Sequence, residues 1–282
     1  MTTQTARRLN WLLQTLPEGL LVDSQWLRDH GYSTSLVAKY VAAGWLEKPA
    51  RRVYRRPRGA LTWQQVVISL QVVLQLPVSL GGRSALELQG FGHYLSGGLR
   101  AVHLYSAEPL PRWLADLEIG VVFRHHNDAR LFATETVPRG LTSLDWNLKS
   151  GASHSNDPAH GAFRVVGWGP WDWPITVSTP ERAILEVLEE LPNHESFEQA
   201  DRLMEGLSNL SPRRLRKLLA DCKSIKVKRL FFFFADRHGH QWLRRLPATD
   251  FDLGTGNRSL VKGGKLDRRY HITVPEDLDG LA

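Results

Sequence analysis

Two short amphipathic segments meet at a glycine in "DSQWLRDHGYSTSLVAKYVAAG", residues 23–44. Asp23 or Ser24 can cap the first, which turns Trp26 and Leu27 inward and stops at Gly31. Ser33 can cap the second, which buries Leu36, Val37, Tyr40 and Val41 and leaves Thr34, Ser35, Ala38, Lys39 and Ala42 on its other face. Two helices this short, joined by a tight Gly-containing turn, form a helix-turn-helix arrangement. Upstream, "ARRLNWLLQTL" spaces Leu9, Leu12, Leu13 and Leu16 as a helix over residues 6–16, ended by Pro17 and Gly19. Downstream, "GWLEKPARRVYRRP" reads as a hairpin: Trp45 and Leu46 start one strand, Pro49 and Ala50 turn, and Val53 and Tyr54 start the return. Such a hairpin is a wing.

Charge singles out the same region. Residues 1–58 hold ten Lys/Arg against four Asp/Glu, which accounts for six of the formal net charge of +7. Asymmetry of this kind most often points to nucleic acid. A helix face of small and polar residues can approach base edges in the major groove, and flanking arginines neutralise phosphates without reading sequence. Ser33, Thr34, Ser35 and Lys39 are therefore expected at the groove. Arg51, Arg52, Arg55, Arg56 and Arg58 are expected on phosphates or in the minor groove, with Tyr54 reserved for packing. A small helical cap with a solvated basic face is the plainer alternative; the wing-like hairpin and the charge concentration favour duplex DNA.

The larger remainder, residues 59–282, is expected to form a second domain, open to subdivision near 175. "TWQQVVISLQVVLQLP" predicts one long helix capped by Thr62, and a short helix follows around Ser84–Leu88. "AVHLYS", "IGVVFRHH" and "FRVVGWGPWDWPITV" predict strands, and "SGASHSNDPAHGA" (150–162) a loop. Helices come next: one opened by Thr179 and Pro180, one in "FEQADRLMEGL", one opened by Ser211 and Pro212, and one in "SIKVKRLFFFFADRHG". "RSLVKGGKLDRRYHITV" closes the chain as a hairpin turning at Gly263 and Gly264. The expected class is α+β: an N-terminal winged helix-turn-helix, then a larger mixed α/β domain ending in a helical bundle and a β-hairpin.

Motifs for chemistry are sparse. No phosphate-binding loop or complete dinucleotide fingerprint is present, and no cofactor is expected. His238/His240 and His125/His126 lack a local carboxylate or cysteine set that would complete a metal site; a solvated turn explains the first pair and a strand end the second. Asp250 and Asp252 suit a capped loop. Eight Lys/Arg crowd residues 212–229, and Arg213, Arg214, Lys217, Lys226 and Arg229 offer a surface for an acidic partner or RNA, against the plainer reading of a solvated helix surface. The single cysteine, Cys222, suits a reducing cytosol, and no apolar run is long enough for a bilayer, so a cytoplasmic chain without membrane partners is expected.

Several segments, in order, resemble one family: "GGRSALELQGFGHYL", "TPERAILEVLEELP", "ADRLMEGL", "SIKVKRLFFFFADRHGHQWLRRL" and "LVKGGKLDRRYHITVP". They are similar to the AbiEi antitoxins of bacterial type IV toxin–antitoxin systems, and residues 21–59 resemble that family's winged-helix domain. The resemblance covers nearly the whole chain except about 125–168. It implies a non-enzymatic, bifunctional protein. Its N-terminal domain would bind repeats in its own promoter to repress its operon. Its C-terminal domain would counter a nucleotidyltransferase-like toxin, without an assumed stable complex, in phage defence by abortive infection. Two other readings stay open: a nucleic-acid- or nucleotide-modifying enzyme with a DNA-targeting domain, and a protein that sequesters the toxin.

Overall fold

In the computed structural model, which describes residues 3–92, 100–138, 146–147, 152–153, 161–276 and 278, the capped N-terminal segments fold as short helices. Helix α1 (Thr3–Thr15) leads into strand β1 (Leu21–Asp23), α2 (Ser24–Asp29) and α3 (Thr34–Ala42). Asp23 is the N-cap of α2, accepting from the Trp26 N–H at 2.8 Å. Ser33 caps α3, accepting from the Leu36 N–H at 3.3 Å. Gly31 reverses the chain with φ at +80°, a conformation that costs a residue with a Cβ. Strands β2 (Glu47–Ala50) and β3 (Val53–Arg55) follow, and the sheet order is β1-β3-β2, antiparallel throughout. This is the expected winged helix with two corrections: Trp45 and Leu46 precede β2, which starts at Glu47, and Pro49 and Ala50 lie in β2, so that Arg51 and Arg52 make the turn.

The larger unit is built on a five-stranded sheet, order β6-β5-β4-β10-β9. Its strands are β4 (Ser79–Leu80), β5 (Ala101–Tyr105), β6 (Val122–His126), β9 (Phe163–Trp168) and β10 (Trp173–Ser178). Parallel pairs β5–β6 and β4–β10 alternate with antiparallel β4–β5 and β9–β10. Strand β10 is buried along its whole length, as its apolar run requires in a sheet covered on both faces. Between β6 and β9 lie α6 (Asp128–Leu131) and the pair β7 (Trp146–Asn147) with β8 (Ala152–Ser153). That pair places two strand residues in the stretch expected to be loop; residues 154–160 lie outside the described residues.

The expected long helix over 62–76 is interrupted. Helix α4 (Trp63–Ile68) opens with the Thr62–Gln65 capping box and then widens into a π-helical turn, Ser69–Val73. The cause is polar: Ser69 Oγ donates to the Gln65 carbonyl at 2.6 Å, and Gln71 Nε2 donates to the Val78 and Thr176 carbonyls. The Ser69 bond to its i−4 carbonyl is local and competes with the helical ladder, while the Gln71 bonds tie the turn to the chain before β4 and to β10. Helix α5 (Gly82–Leu88) starts on the second of two adjacent glycines, with Gly81 as its N-cap. A Cβ at Gly81 would sit 2.3 Å from the Tyr105 ring and 2.5 Å from a Glu186 carboxylate oxygen, so only glycine fits.

Helices α7 (Pro180–Glu189), α8 (Phe197–Gly206), α9 (Pro212–Asp221) and α10 (Ile225–Arg237) form the bundle. Phe231, Phe232 and Phe234 are all buried, Phe232 against Phe251 and Tyr270 of the C-terminal segment. Strands β11 (Lys265–Asp267) and β12 (Ile272–Val274) close the chain as the expected hairpin, but they turn at residues 268–271 rather than at Gly263–Gly264. The boundary expected at residue 58 is bridged: the Leu21 N–H donates to Ser69 Oγ at 2.8 Å, and the Arg58 guanidinium lies 5.5 Å from the Trp171 ring centre.

Candidate nucleic-acid interface

Helix α3 buries Val37 and Tyr40 and half-buries Leu36 and Val41. Ser33, Thr34, Ser35, Ala38, Lys39 and Ala42 are exposed, as the spacing requires. The Ser33 hydroxyl already serves as the cap and shares a 3.1 Å hydrogen bond with Ser35 Oγ, which leaves Thr34, Ser35 and Lys39 as the face's outward polar groups.

The five wing arginines divide. Arg51 and Arg52 stand exposed at the tip, with no acid partner among the described residues, and Arg52 holds φ at +64°. Arg55 is buried, correcting its assignment to phosphate. Its Nε donates to Glu47 Oε2 at 2.7 Å and its Nη2 to the Gly59 carbonyl at 2.7 Å. Arg56 is also turned inward: Nη1 donates to the carbonyls of Leu13 and Leu16 at the end of α1, and Nη2 pairs with Glu18 at 3.0 Å. A cation on the last carbonyls of a helix satisfies orphan acceptors, which is a structural duty. Arg58 reaches Glu18 at 3.5 Å and lies over Trp171. Tyr54 is half-buried and packs on the core, as expected.

The second basic cluster does not assemble as a surface of five. Arg229 is buried and donates to the carbonyls of Leu253, Gly256 and His271, tying α10 to the C-terminal segment. Lys226 is half-buried on the Glu189 and Leu191 carbonyls. Arg214 is half-buried against Glu181 at 3.1 Å. Arg213 is exposed, and so is Lys217, although it pairs with Glu135 at 2.7 Å.

The histidine pairs are also held in place. His238 Nε2 meets Asp201 at 2.8 Å and His240 Nε2 meets the Met204 carbonyl at 2.7 Å, in place of the expected solvated turn. Asp250 pairs with Arg216, and Asp252 caps the Gly254 N–H. Sequence reasoning missed a polar cluster at the sheet edge. His103 Nδ1 lies 3.0 Å from His126 Nε2, and His126 Nδ1 lies 2.9 Å from Glu190. The Tyr105 ring stacks on His126, with its hydroxyl buried and without a hydrogen-bond partner among the described residues. Burial holds His103 down to about 4, aided by the neighbouring His126, and burial raises Glu186 and Glu195 above the usual carboxylate range. Burial also raises Glu190, but the His126 hydrogen bond and charge outweigh it and leave that carboxyl low. Burial pushes the Cys222 thiol up to about 11, so it stays protonated near neutrality. Among the described residues no group of three or more His, Cys, Asp or Glu is placed to hold a metal ion, and no helix is long and apolar enough to cross a membrane.

A winged helix with an exposed polar helix face, joined to a larger α+β unit, suits a two-part transcriptional regulator. Family comparison agrees at both ends. Residues 5–97 match "Transcriptional regulator, AbiEi antitoxin N-terminal domain", and residues 170–275 match "Transcriptional regulator, AbiEi antitoxin, Type IV TA system". The chain belongs to the AbiEi antitoxin family of type IV toxin–antitoxin systems. Among solved structures it is similar in fold to the RV2827C protein from Mycobacterium tuberculosis, at 15% identity and a TM-score of 0.55 over 96% of this chain and 91% of that one. Comparison with curated proteins finds no match.

Proposed function

We propose that this antitoxin binds repeats in its own promoter through α3 and the hairpin tip, represses its operon, and counters a nucleotidyltransferase-like toxin in the cytoplasm through residues 59–282, without enzymatic activity of its own. One observation carries the DNA half. Thr34, Ser35 and Lys39 are exposed on α3, and the tip arginines Arg51 and Arg52 are exposed and unpaired among the described residues. Free guanidinium groups can take phosphates without first breaking an internal ion pair, and small side chains let a helix approach base edges. Arg213 and Lys217 remain as an exposed pair for contact with the toxin, should the two proteins meet.

The test is binding of labelled promoter and scrambled duplexes over a salt series, with a growth assay beside a co-expressed toxin. Lys39→Ala should change the preference among operator variants. Arg51→Ala with Arg52→Ala should weaken every duplex and still rescue growth. Equal binding of promoter and scrambled DNA by the unaltered protein would remove operator recognition. Loss of rescue in a folded Arg51→Ala/Arg52→Ala protein would refute the division of labour.

A further inference from the structure

Trp11 on α1 is a large apolar side chain left 41% exposed, outside the stripe formed by buried Leu9 and Leu12. It forms a wall of an open cavity of about 380 Å³, whose other lining residues are Arg7, Arg8, His30 and Tyr32. That volume falls in the range of small-molecule sites. The rings are ordered. Trp26 stacks on His30 at 3.9 Å between ring centres, and Trp11 lies 5.3 Å from His30 and 6.2 Å from Tyr32. Two hydrogen bonds fix the frame: the Tyr32 hydroxyl donates to the Arg8 carbonyl at 2.9 Å, and His30 Nδ1 lies 2.7 Å from the Trp26 carbonyl. A carbonyl only accepts, so Nδ1 carries the proton and Nε2 of the neutral ring is left as an acceptor. No acid pairs with Arg7 or Arg8 among the described residues; Asp29, beside His30, accepts from Gln25 Nε2 at 2.7 Å instead.

We infer that this cavity is a nucleotide-unit site, taking a planar nucleobase against Trp11 and its phosphate on Arg7 and Arg8. The chemistry selects that class. A half-exposed indole offers a stacking face that any base can use, unpaired guanidinium groups match phosphate oxygens, and the His30 acceptor suits an exocyclic amino group. Among the described residues the lining contains no aliphatic side chain, which disfavours an apolar peptide, and an acidic peptide would leave the ring wall unused. Tyr32 immediately precedes Ser33, the cap of α3, and His30 lies three residues before it, so an occupied cavity borders the entry of the recognition helix. The unit can come from a free mononucleotide or from an unpaired nucleotide of a DNA strand. The mononucleotide arm is independent of the promoter-binding proposal; the strand arm rests on DNA binding of some kind.

The full-length chain is titrated with N-methylanthraniloyl-labelled AMP and GMP by anisotropy, with unlabelled AMP, ribose 5-phosphate and inorganic phosphate as competitors. Blunt duplex and the same duplex with a three-nucleotide overhang are titrated alongside. Trp11→Leu and Arg7→Gln with Arg8→Gln are compared, each checked for folding by circular dichroism. For a free nucleotide, the labelled compounds bind saturably, AMP competes at least tenfold better than ribose 5-phosphate or phosphate, and each variant weakens binding at least tenfold. For a strand nucleotide, mononucleotides do not bind, but the overhang improves duplex binding at least fivefold and Trp11→Leu abolishes that gain. Absence of both effects, or binding that survives both variants, overturns the site. Failure of blunt duplex to bind the unaltered protein counts against the winged-helix reading alone, since mononucleotide binding is measured separately.

Discussion

Arg55 crosses the hairpin to Glu47, its Nε and Nη2 both 2.7 Å from the same carboxylate oxygen, while Nη2 also holds the Gly59 carbonyl. The pair fastens β3 to β2 and to the chain leaving the wing. Arg55→Ala leaves the Gly59 carbonyl without its donor and removes packing from a buried site, which should cost about 1–3 kcal/mol. Urea unfolding measures that loss. In folded samples the salt slope of duplex binding should stay as in the unaltered protein. In Arg51→Ala with Arg52→Ala it should fall by about two, the counterions that two phosphate contacts would release. A slope reduced by Arg55→Ala as well would return that side chain to the phosphates.

Arg52 carries the second expectation. Its φ of +64° is a region that glycine enters without a Cβ penalty, at a hairpin position where glycine is common. Arg52→Gly should therefore hold or raise the unfolding free energy, by up to about 1 kcal/mol, yet weaken all duplexes. Arg52→Ala keeps the strain and loses the charge, so it should weaken DNA equally and gain no stability. Thermal melts of the two variants beside a binding series separate the effects. A glycine variant that binds duplex like the unaltered protein would show that the strain serves no phosphate contact.

In the C-terminal unit, Arg182 is fully buried between the rings of Phe132 and Phe163, at 4.3 and 4.4 Å, with Nε on Glu186 at 2.7 Å and Nη2 3.4 Å from Asp128. Removing one partner of a buried ionic set leaves charge without compensation. Arg182→Met should cost about 3–5 kcal/mol, seen in urea unfolding, and should lower soluble yield. Arg182→Lys should recover little, because an ammonium group cannot fill the planar slot between two rings while reaching both acids. Full stability in Arg182→Lys would show that charge alone suffices there.

How far the sequence foretold this arrangement depends on where each residue's cover comes from. The caps Asp23, Ser33, Thr62 and Ser211 were legible because capping is local, and each side chain accepts from the N–H three residues on. Thr179 shows the limit: its backbone caps α7, but its hydroxyl goes to the Gly161 and Ala162 carbonyls. Arg55 was misplaced although a signal existed, since a two-residue strand period puts it on the same face as buried Val53. Arg229 gave no such signal. Its acceptors lie 24 to 42 residues downstream, and a helix wrapped by a later segment hides its inner face from periodicity. The exposure of the tip arginine side chains and of the α3 face was readable because no other segment covers them among the described residues. The His103–His126–Glu190 cluster was not, since β5, β6 and α7 bring it together only in the finished sheet.

That cluster makes stability depend on pH. His103 Nδ1 and His126 Nε2 share a 3.0 Å hydrogen bond, so one nitrogen must lack a proton and the two rings cannot both be cationic without breaking it. Burial first, and the neighbouring His126 second, lower His103 from 6.5 to about 4. Between those values the unfolded chain binds the proton that the folded chain refuses. The contribution is therefore complete above pH 6.5 and is lost as the pH falls to about 4, a loss on the order of 3 kcal/mol. Glu186 and Glu195, raised by burial, act with the opposite sign, because the folded chain accepts their protons first. The difference between proteins isolates the histidine. Urea unfolding of the unaltered chain and of His103→Gln at pH 7.5, 6.0 and 4.5 should show the variant less stable at 7.5 and the gap closing as the solution becomes acid. Parallel profiles would mean that His103 keeps its ordinary affinity for protons in the fold, and the shared hydrogen bond could not then be the linkage between acid and unfolding.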